Sequence, residues 1–170
     1  MREAMLYESL KEELCSYIRR RCKENDCRLN SWCGGRPVDN FIICMETYAK
    51  TIQWIDKKCD CLVLILLEKT LIFLLVELKD TKHPDIEKIV EQLNSSAKIL
   101  EDHILSSITS SDLDVLSIRF IPLSLSKRPT AALFKVQEIT KIKFRNKNWN
   151  ISFDHCGTSI GDVLVARGIS

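Results

Sequence analysis

Apolar and polar residues follow one another along the chain in patterns that predict helices and strands in a mixed order. Apolar residues recur at every third or fourth position in residues 3–24 and 84–105, and both segments are predicted to be amphipathic helices. Pro84 suits the first turn of the second helix, where a backbone N–H would have no helical partner. Residues 41–55 carry a similar pattern, so we interpret them as mostly helical.

Two apolar runs in the middle of the chain predict the centre of a β-sheet. Residues 60–67 and 70–78 are rich in Val, Ile, Leu and Phe, and only Glu68 and Lys69 separate them. Strands that are buried on both faces have such sequences, and a two-residue loop would join them into a hairpin. The remaining predicted elements are a strand at 115–125, a short helix at 131–136, and a hairpin of 139–145 and 149–154 with 146–148 in its turn.

The order helix, central hairpin, long helix and strand predicts an α/β fold with three layers, in which helices flank a mixed β-sheet. A length of 170 residues fits a single domain. We expect its core in residues 41–125, with the helix at 3–24 and the β element at 139–154 added at the two ends.

The overall charge shows that the protein is not strongly basic, and the apolar segments bear on its cellular compartment. The net charge is only +2, so any surface that attracts nucleic acid must be local. The N-terminus lacks the apolar stretch of a secretory signal, and Glu68, Lys69 and Glu77 interrupt the apolar segment 61–78. We therefore expect a cytoplasmic protein without a membrane span.

Eight cysteines are unusual for a cytoplasmic chain, and seven of them lie in the first 61 residues. Their spacings lack the short pairs and nearby histidines of a zinc site. Structural disulfides are expected if the source is a hyperthermophile, and otherwise the cysteines are ordinary small buried residues. We favour one or two disulfides, whose connectivity the sequence does not reveal.

The candidate chemistry lies at one end of the central hairpin. If Leu67 pairs with Thr70, Asp60 comes directly opposite Glu77, and the two side chains point to the same face of the sheet. Lys79, two residues further along the strand, points to that face as well. Three ionisable side chains would thus meet at the end of an apolar hairpin.

Two opposed carboxylates repel each other, and a divalent cation would remove that conflict. Mg²⁺ prefers carboxylate oxygens and makes water more acidic, while a lysine beside it can neutralise charge on a phosphate. The alternative is that Asp60, Glu77 and Lys79 are solvated residues at strand ends. The pattern acid-x-Lys also occurs at 56–58 and 80–82, so it is not specific by itself.

This arrangement resembles the PD-(D/E)xK nuclease superfamily, which has the restriction-endonuclease-like fold. The resemblance covers residues 41–125 and implies that Asp60 and Glu77 bind Mg²⁺, with Mn²⁺ as an alternative ion, while Lys79 assists hydrolysis of DNA. It further implies roles for Glu46 as an acid from the first core helix and for Gln92 on the helix after the motif. Cys59 stands where the family name has proline, and Ser96 where some branches have tyrosine.

Two basic segments are candidates for contact with the DNA backbone. Lys141, Lys143, Arg145 and Lys147 alternate along the C-terminal hairpin, either to bind phosphates or to protect an exposed strand from aggregation. Residues 19–23 form a basic cluster of three arginines, a cysteine and a lysine, which fits either the C-terminus of a helix or a phosphate-binding surface.

From the sequence we therefore expect a Mg²⁺-dependent DNA endonuclease. Because the chain has no room for a separate recognition domain, selectivity for branched or junction DNA by a homodimer fits its size best. One alternative is a catalytically inactive nuclease-fold module that binds nucleic acid or protein, and another is a cysteine-based redox or metal protein.

Overall fold

The computed structural model describes residues 2–35, 38–81, 83–137 and 139–169. It contains a six-stranded mixed β-sheet with helices on both faces. The predicted α/β class with a mixed central sheet is confirmed.

The elements have the following bounds. The strands are β1 (Ile18–Arg19), β2 (Cys22–Glu24), β3 (Cys27–Leu29), β4 (Asp39–Cys44), β5 (Cys61–Leu67), β6 (Thr70–Lys79), β7 (Ile118–Ser126), β8 (Lys141–Phe144), β9 (Lys147–Asn150) and β10 (Ser152–His155). The helices are α1 (Arg2–Glu13), α2 (Met45–Thr51), α3 (Ile86–Ile99), α4 (Ser110–Asp114), α5 (Ala131–Gln137) and α6 (Ile160–Ala166), with a 3₁₀ turn at Cys15–Tyr17 and a π-helical turn at Leu100–Ile104 that continues α3.

The main sheet has the strand order β1-β4-β5-β6-β7-β10. The pairs from β1 to β6 are antiparallel, whereas β6–β7 and β7–β10 are parallel. The strands β5 and β6 form the predicted hairpin, in which Leu67 pairs with Thr70 and Cys61 with Val76. Glu68 in the loop has a φ of +52°, as expected for a tight hairpin turn.

The two faces of the sheet bury separate apolar clusters. One face packs against α1, α2, α3 and the β8–β9 hairpin, and Phe144 of β8 stacks on Phe120 at 4.4 Å between ring centroids. The other face packs against the β2–β3 hairpin and α6. Because β5 and β6 are buried between these layers, nearly all of their side chains are apolar.

Two disulfide bonds attach the β2–β3 hairpin to the rest of the protein. Cys22 is bonded to Cys61 at the start of β5, and Cys27 is bonded to Cys156 just after β10. The expectation of one or two disulfides is confirmed. Because each end of the small hairpin is cross-linked, its position over the main sheet is held covalently.

The N-terminal half differs from the sequence prediction in two places. The helix predicted at 3–24 ends at Glu13, and residues 18–24 instead contribute β1 and β2. The segment 41–55, predicted to be mostly helix, begins as β4 and becomes helical only at Met45. The reason is that the open edge of buried β5 needs backbone hydrogen bonds, and β4 supplies them.

The C-terminal β element also differs from the prediction. The turn of the hairpin is formed by Arg145 and Asn146, both with positive φ, rather than by residues 146–148. Its strands are β8 and β9, and the chain then continues as β10, which pairs with β7 in the main sheet. The predicted short helix at 131–136 is confirmed as α5.

None of the helices in the described part of the chain combines the length and the apolar composition that a membrane span requires.

Candidate active site

Asp60, Glu77, Lys79 and Gln92 come together at one end of the sheet, and we call them the acidic site. Asp60 precedes β5, Glu77 and Lys79 end β6, and Gln92 lies on α3. The Lys79 ammonium group forms an ion pair with Glu77 Oε1 and donates a hydrogen bond to Gln92 Oε1 at 3.0 Å. The lysine is thus held between the acid two residues before it and the helix that follows.

Asp60 joins the ends of the two central strands. Its Oδ2 accepts a hydrogen bond from the backbone N–H of Leu78 at 2.7 Å, and its own N–H donates to the carbonyl of Val76 at 3.0 Å. The carboxylate of Asp60 is therefore fixed against the stretch of β6 that contains Glu77.

Helix α3 fixes the backbone that leads into Asp60. Gln92 Nε2 donates to the carbonyl of Lys58 at 3.3 Å, and Ser96 Oγ accepts the N–H of Cys59 at 2.7 Å. Gln92 and Ser96 are one helical turn apart, so they face the same segment. Ser96 is fully buried and positions the backbone rather than facing the cavity beside Asp60.

Glu77 is buried in an environment that opposes its charge. It is only 1% exposed, and its Oε2 atom has no hydrogen-bond donor among the described residues. Burial first, and then the negative charge of Asp60, raise the pKa of Glu77 to about 8 although Lys79 favours the ionised form. Burial likewise raises the pKa of Asp60 to about 6, against the hydrogen bond from Leu78.

A cavity of about 340 Å³ opens beside Asp60. Its charged lining consists of three acids and four basic residues: Glu24, Glu46, Asp60, Arg19, Arg21, Lys23 and Lys58. Glu46 is exposed at the start of α2, pairs with Lys50 at 3.0 Å, and its charge contributes to the raised pKa of Asp60. The sequence-predicted acid Glu46 thus faces the same cavity as Asp60.

Glu24 and Lys58 are charged residues of this cavity that we did not single out from the sequence. The negative charge of Glu24, at the end of β2, raises the pKa of both Asp60 and Glu77. The disulfide between Cys22 and Cys61 brings Glu24 there, because these cysteines lie close in sequence to Glu24 and Asp60. Only the pairing of the cysteines could have revealed it from the sequence.

The four basic residues of the C-terminal hairpin, which we call the C-terminal row, lie outside the cavity beside Asp60; they are Lys141, Lys143, Arg145 and Lys147. Lys141 and Lys143 are exposed on β8 while Ile142 and Phe144 are buried, so the predicted alternation is confirmed for residues 141–144. Lys147 is exposed on β9. The guanidinium of Arg145 pairs with Asp114 and donates to the carbonyl of Leu113 at 3.3 Å. None of these four residues is among the described residues that line the cavity beside Asp60.

Two side chains of the acidic site, the carboxylates of Asp60 and Glu77, could bind a metal ion. In the described ranges, no three His, Cys, Asp or Glu side chains come together in a group able to hold an ion. Mg²⁺ is commonly bound by one or two carboxylates and keeps several waters. The unpartnered Glu77 Oε2 atom beside Asp60 is compatible with such a site.

Comparison with known proteins identifies no relative: no family model matches the chain, and neither a curated protein nor a solved structure matches it.

Proposed function

We propose that this protein is a metal-dependent DNA endonuclease with the restriction-endonuclease-like fold of the PD-(D/E)xK superfamily. Asp60 and Glu77 would hold the metal ion, and Lys79 would be the catalytic cation. Gln92 would position Lys79, while Glu46 would contribute negative charge at the edge of the site.

The observation that carries the proposal is the burial of Glu77 in contact with Lys79. A glutamate that is 1% exposed at the end of a central strand, with one oxygen unpartnered and a second acid beside it, costs folding free energy. Stability alone does not explain this arrangement, but chemistry on a phosphodiester would use it. The hydrogen bond from Lys79 to Gln92 is an additional feature expected from the family resemblance.

Mg²⁺ fits the acidic site because, within the described ranges, only one cation, Lys79, acts on the two carboxylates, and the ion would supply further positive charge. When bound, such an ion would lower the pKa of coordinated water and so make a hydroxide nucleophile easier to form. Mn²⁺ is expected to substitute, since it also accepts carboxylate and water ligands.

The chain's own residues would perform the remaining tasks. The ammonium group of Lys79, which is held by Glu77 and Gln92, would neutralise charge that develops on the phosphate oxygens. The hydrogen bond from Leu78 keeps the Asp60 carboxylate in a single orientation. Both acids would remain at a fixed separation because adjacent backbone segments of one hairpin carry them.

A catalytically inactive binding module is the second candidate, and one observation favours it. Lys79 is paired with Glu77, and Asp60 accepts a backbone hydrogen bond, so the site already satisfies part of its charge internally. Such a module would bind DNA without cleaving it and would not respond to Mg²⁺.

Cleavage of supercoiled plasmid and of synthetic branched DNA in Mg²⁺ or Mn²⁺ tests the proposal. The variants are Glu77→Gln and Lys79→Met, which keep the side-chain length while removing a charge. Asp56→Asn is the matched control, because Asp56 begins another acid-x-Lys sequence but is exposed outside the acidic site. We expect losses of about 100-fold or more for the two site variants and parent-like cleavage for the control.

Equal cleavage by the parent and Glu77→Gln would exclude the catalytic assignment. Binding without cleavage by the parent, in both Mg²⁺ and Mn²⁺, would favour the inactive module. A preference for four-way junctions over linear duplexes, together with a dimeric mass in solution, is the outcome expected for a junction-resolving homodimer.

A further inference from the structure

Three of the basic residues that line the cavity alternate along the chain. Arg19, Arg21 and Lys23 line the cavity, whereas Cys22 between them is fully buried and bonded to Cys61. Arg20 also belongs to the arginine run but does not line the cavity. The alternation of an extended chain thus selects which of the basic side chains face the site.

A fourth basic residue reaches the cavity from another part of the chain. Lys58 precedes Asp60 by two residues, and its carbonyl is held by Gln92. Together, Arg19, Arg21, Lys23 and Lys58 form what we call the basic rim.

The charges of the basic rim are largely available to a ligand. Arg21, Lys23 and Lys58 form no salt bridge with any described residue, whereas Lys50 and Lys127 both do. Arg19 donates a weak hydrogen bond to Thr47 Oγ1 at 3.4 Å. Cations that stand beside an acidic site without pairing with it are suited to an anion that approaches from solvent.

We propose that the basic rim binds backbone phosphates of duplex DNA on either side of the bond at the acidic site; its relation to cleavage rests on the function proposed above. The rim combines side chains from two segments, residues 19–23 and Lys58, that line one cavity. A duplex presents phosphates at regular intervals, so it can contact both segments at once. The three acids Glu24, Glu46 and Asp60 in the same cavity repel any anion, but the four cations of the basic rim outnumber them by one.

The rim also explains why the C-terminal row is not needed for this role. Arg145 is paired with Asp114 and lines a different cavity. Lys141 and Lys143 are exposed on β8, outside the cavity beside Asp60. The phosphate contacts closest to the acidic site therefore come from residues 19–23 and Lys58 rather than from β8.

Fluorescence anisotropy with a labelled duplex of about 20 base pairs tests this assignment. The titrations are made in EDTA, which prevents metal-dependent cleavage, and at several salt concentrations. The test variants are Arg21→Ala/Lys23→Ala and Lys58→Ala, and Arg20→Ala is the matched control because Arg20 is an exposed neighbour outside the cavity. Thermal unfolding checks that each variant is folded.

We expect the double variant to lose affinity by about tenfold or more. The slope of log affinity against log salt concentration should fall by the equivalent of roughly two phosphate contacts. Lys58→Ala should lose about one contact, and Arg20→Ala should bind like the parent. Unchanged binding by the double variant, or no binding by the parent, would overturn the assignment. A loss of DNA affinity in Lys141→Ala/Lys143→Ala alone would also overturn it, because the phosphate contacts would then lie on β8.

The DNA-binding experiment on the basic rim and the cleavage experiment can fail independently of each other. If the rim variants lose DNA binding but the parent cleaves nothing in Mg²⁺ or Mn²⁺, the rim stands and the endonuclease assignment fails. If the parent cleaves DNA but the rim variants bind normally, the endonuclease assignment stands and the rim fails.

Discussion

At the scale of single residues, Glu77 sets the chemistry of the acidic site. Its neighbours are the half-buried acid Asp60 and the ammonium group of Lys79. Because burial penalises the ionised carboxyl more than Lys79 favours it, the pKa of Glu77 lies well above that of a free glutamate. The site therefore gains from any further positive charge placed beside the two acids.

This environment predicts that the free energy of unfolding of the metal-free protein, kept in EDTA, falls as the pH rises from about 5 to 8. In that interval the unfolded chain has released the proton of Glu77, whereas the folded protein still holds it. The folded state binds more protons, so a rise in pH favours unfolding, and Asp60 adds a change of the same sign at lower pH. Urea unfolding in EDTA at pH 5 and pH 8 measures the effect.

Glu77→Gln should flatten that pH dependence, because glutamine does not titrate. Glu46→Gln is the matched control, since Glu46 is exposed and its pKa is lowered by Lys50. Mg²⁺ should stabilise the parent more at pH 8 than at pH 5. An equal pH dependence in the parent and in Glu77→Gln would show that the carboxyl of Glu77 is not perturbed by burial.

The sequence predicts the residue pairs that depend on local geometry. A two-residue loop at Glu68 and Lys69 determines the register of β5 and β6, so the proximity of Asp60 to the end of β6 follows from counting. Glu24 could not be assigned in this way. It reaches the cavity through a disulfide between residues 39 positions apart, and such pairings are not encoded in local patterns.

At the scale of elements, the β2–β3 hairpin is a small unit whose position depends on covalent attachment. It has only three residues in each strand, and an isolated two-stranded hairpin is marginally stable. The disulfides Cys22–Cys61 and Cys27–Cys156 hold it against the main sheet. Through this attachment, the hairpin positions Lys23 and Glu24 beside the acidic site.

Removal of the first disulfide should therefore reduce both stability and DNA binding. We expect Cys22→Ala/Cys61→Ala to lower the free energy of unfolding by about 2–5 kcal/mol, because the unfolded chain loses a cross-link. DNA affinity in EDTA should also fall, since Arg21 and Lys23 would lose their fixed position. Urea unfolding and the anisotropy titration measure the two effects.

Cys15→Ala is the control for the disulfide variant, because Cys15 is an exposed free cysteine. Treatment of the parent with dithiothreitol should lower its stability in the same direction as the double variant. If neither the double variant nor reduction changes stability, the hairpin is held by packing alone.

Elements were predicted best where one periodicity dominates. The helix α3 has apolar residues at helical spacing over its whole length, and the structure retains it with Asp85 capping its first turn through the N–H of Lys88. Residues 41–44 are four consecutive apolar residues, which fit a buried strand as well as a helix. Their pairing with β5 decides in favour of a strand, and that pairing is a property of the whole sheet.

At the scale of the whole molecule, the two ends of the parallel strands have different roles. Glu77 and Lys79 pair with Ser124 and Ser126 at one end, while Leu71 pairs with Ile118 at the other. The contact between Arg145 and Asp114 lies toward this second end, because α4 directly precedes β7. We therefore interpret Arg145 as a structural residue that joins the β8–β9 turn to α4.

Arg145→Ala should then affect stability rather than DNA binding. We expect the free energy of unfolding to decrease by about 1 kcal/mol, because the carbonyl of Leu113 and the carboxylate of Asp114 lose a donor. DNA affinity should stay within twofold of the parent. Lys143→Ala is the control for loss of an exposed charge on the same hairpin, and a large loss of affinity in Arg145→Ala alone would contradict this interpretation.

The layered architecture could be predicted from the sequence, but the addition of β10 to the main sheet could not. An apolar hairpin followed by an amphipathic helix and another strand favours helices packed on a mixed sheet. β10, by contrast, has only four residues and pairs with β7 in parallel. So short a strand carries little periodic signal, and its place depends on contacts distant in sequence.

Binding of Mn²⁺ to the metal-free protein, followed by electron paramagnetic resonance, most directly tests whether Asp60 and Glu77 together hold one ion. We expect one bound Mn²⁺ per chain in the parent and in Glu46→Gln, competition by Mg²⁺, and loss of binding in both Asp60→Asn and Glu77→Gln. Absence of bound Mn²⁺ in the parent, or unchanged binding in either of the last two variants, would contradict a shared metal site.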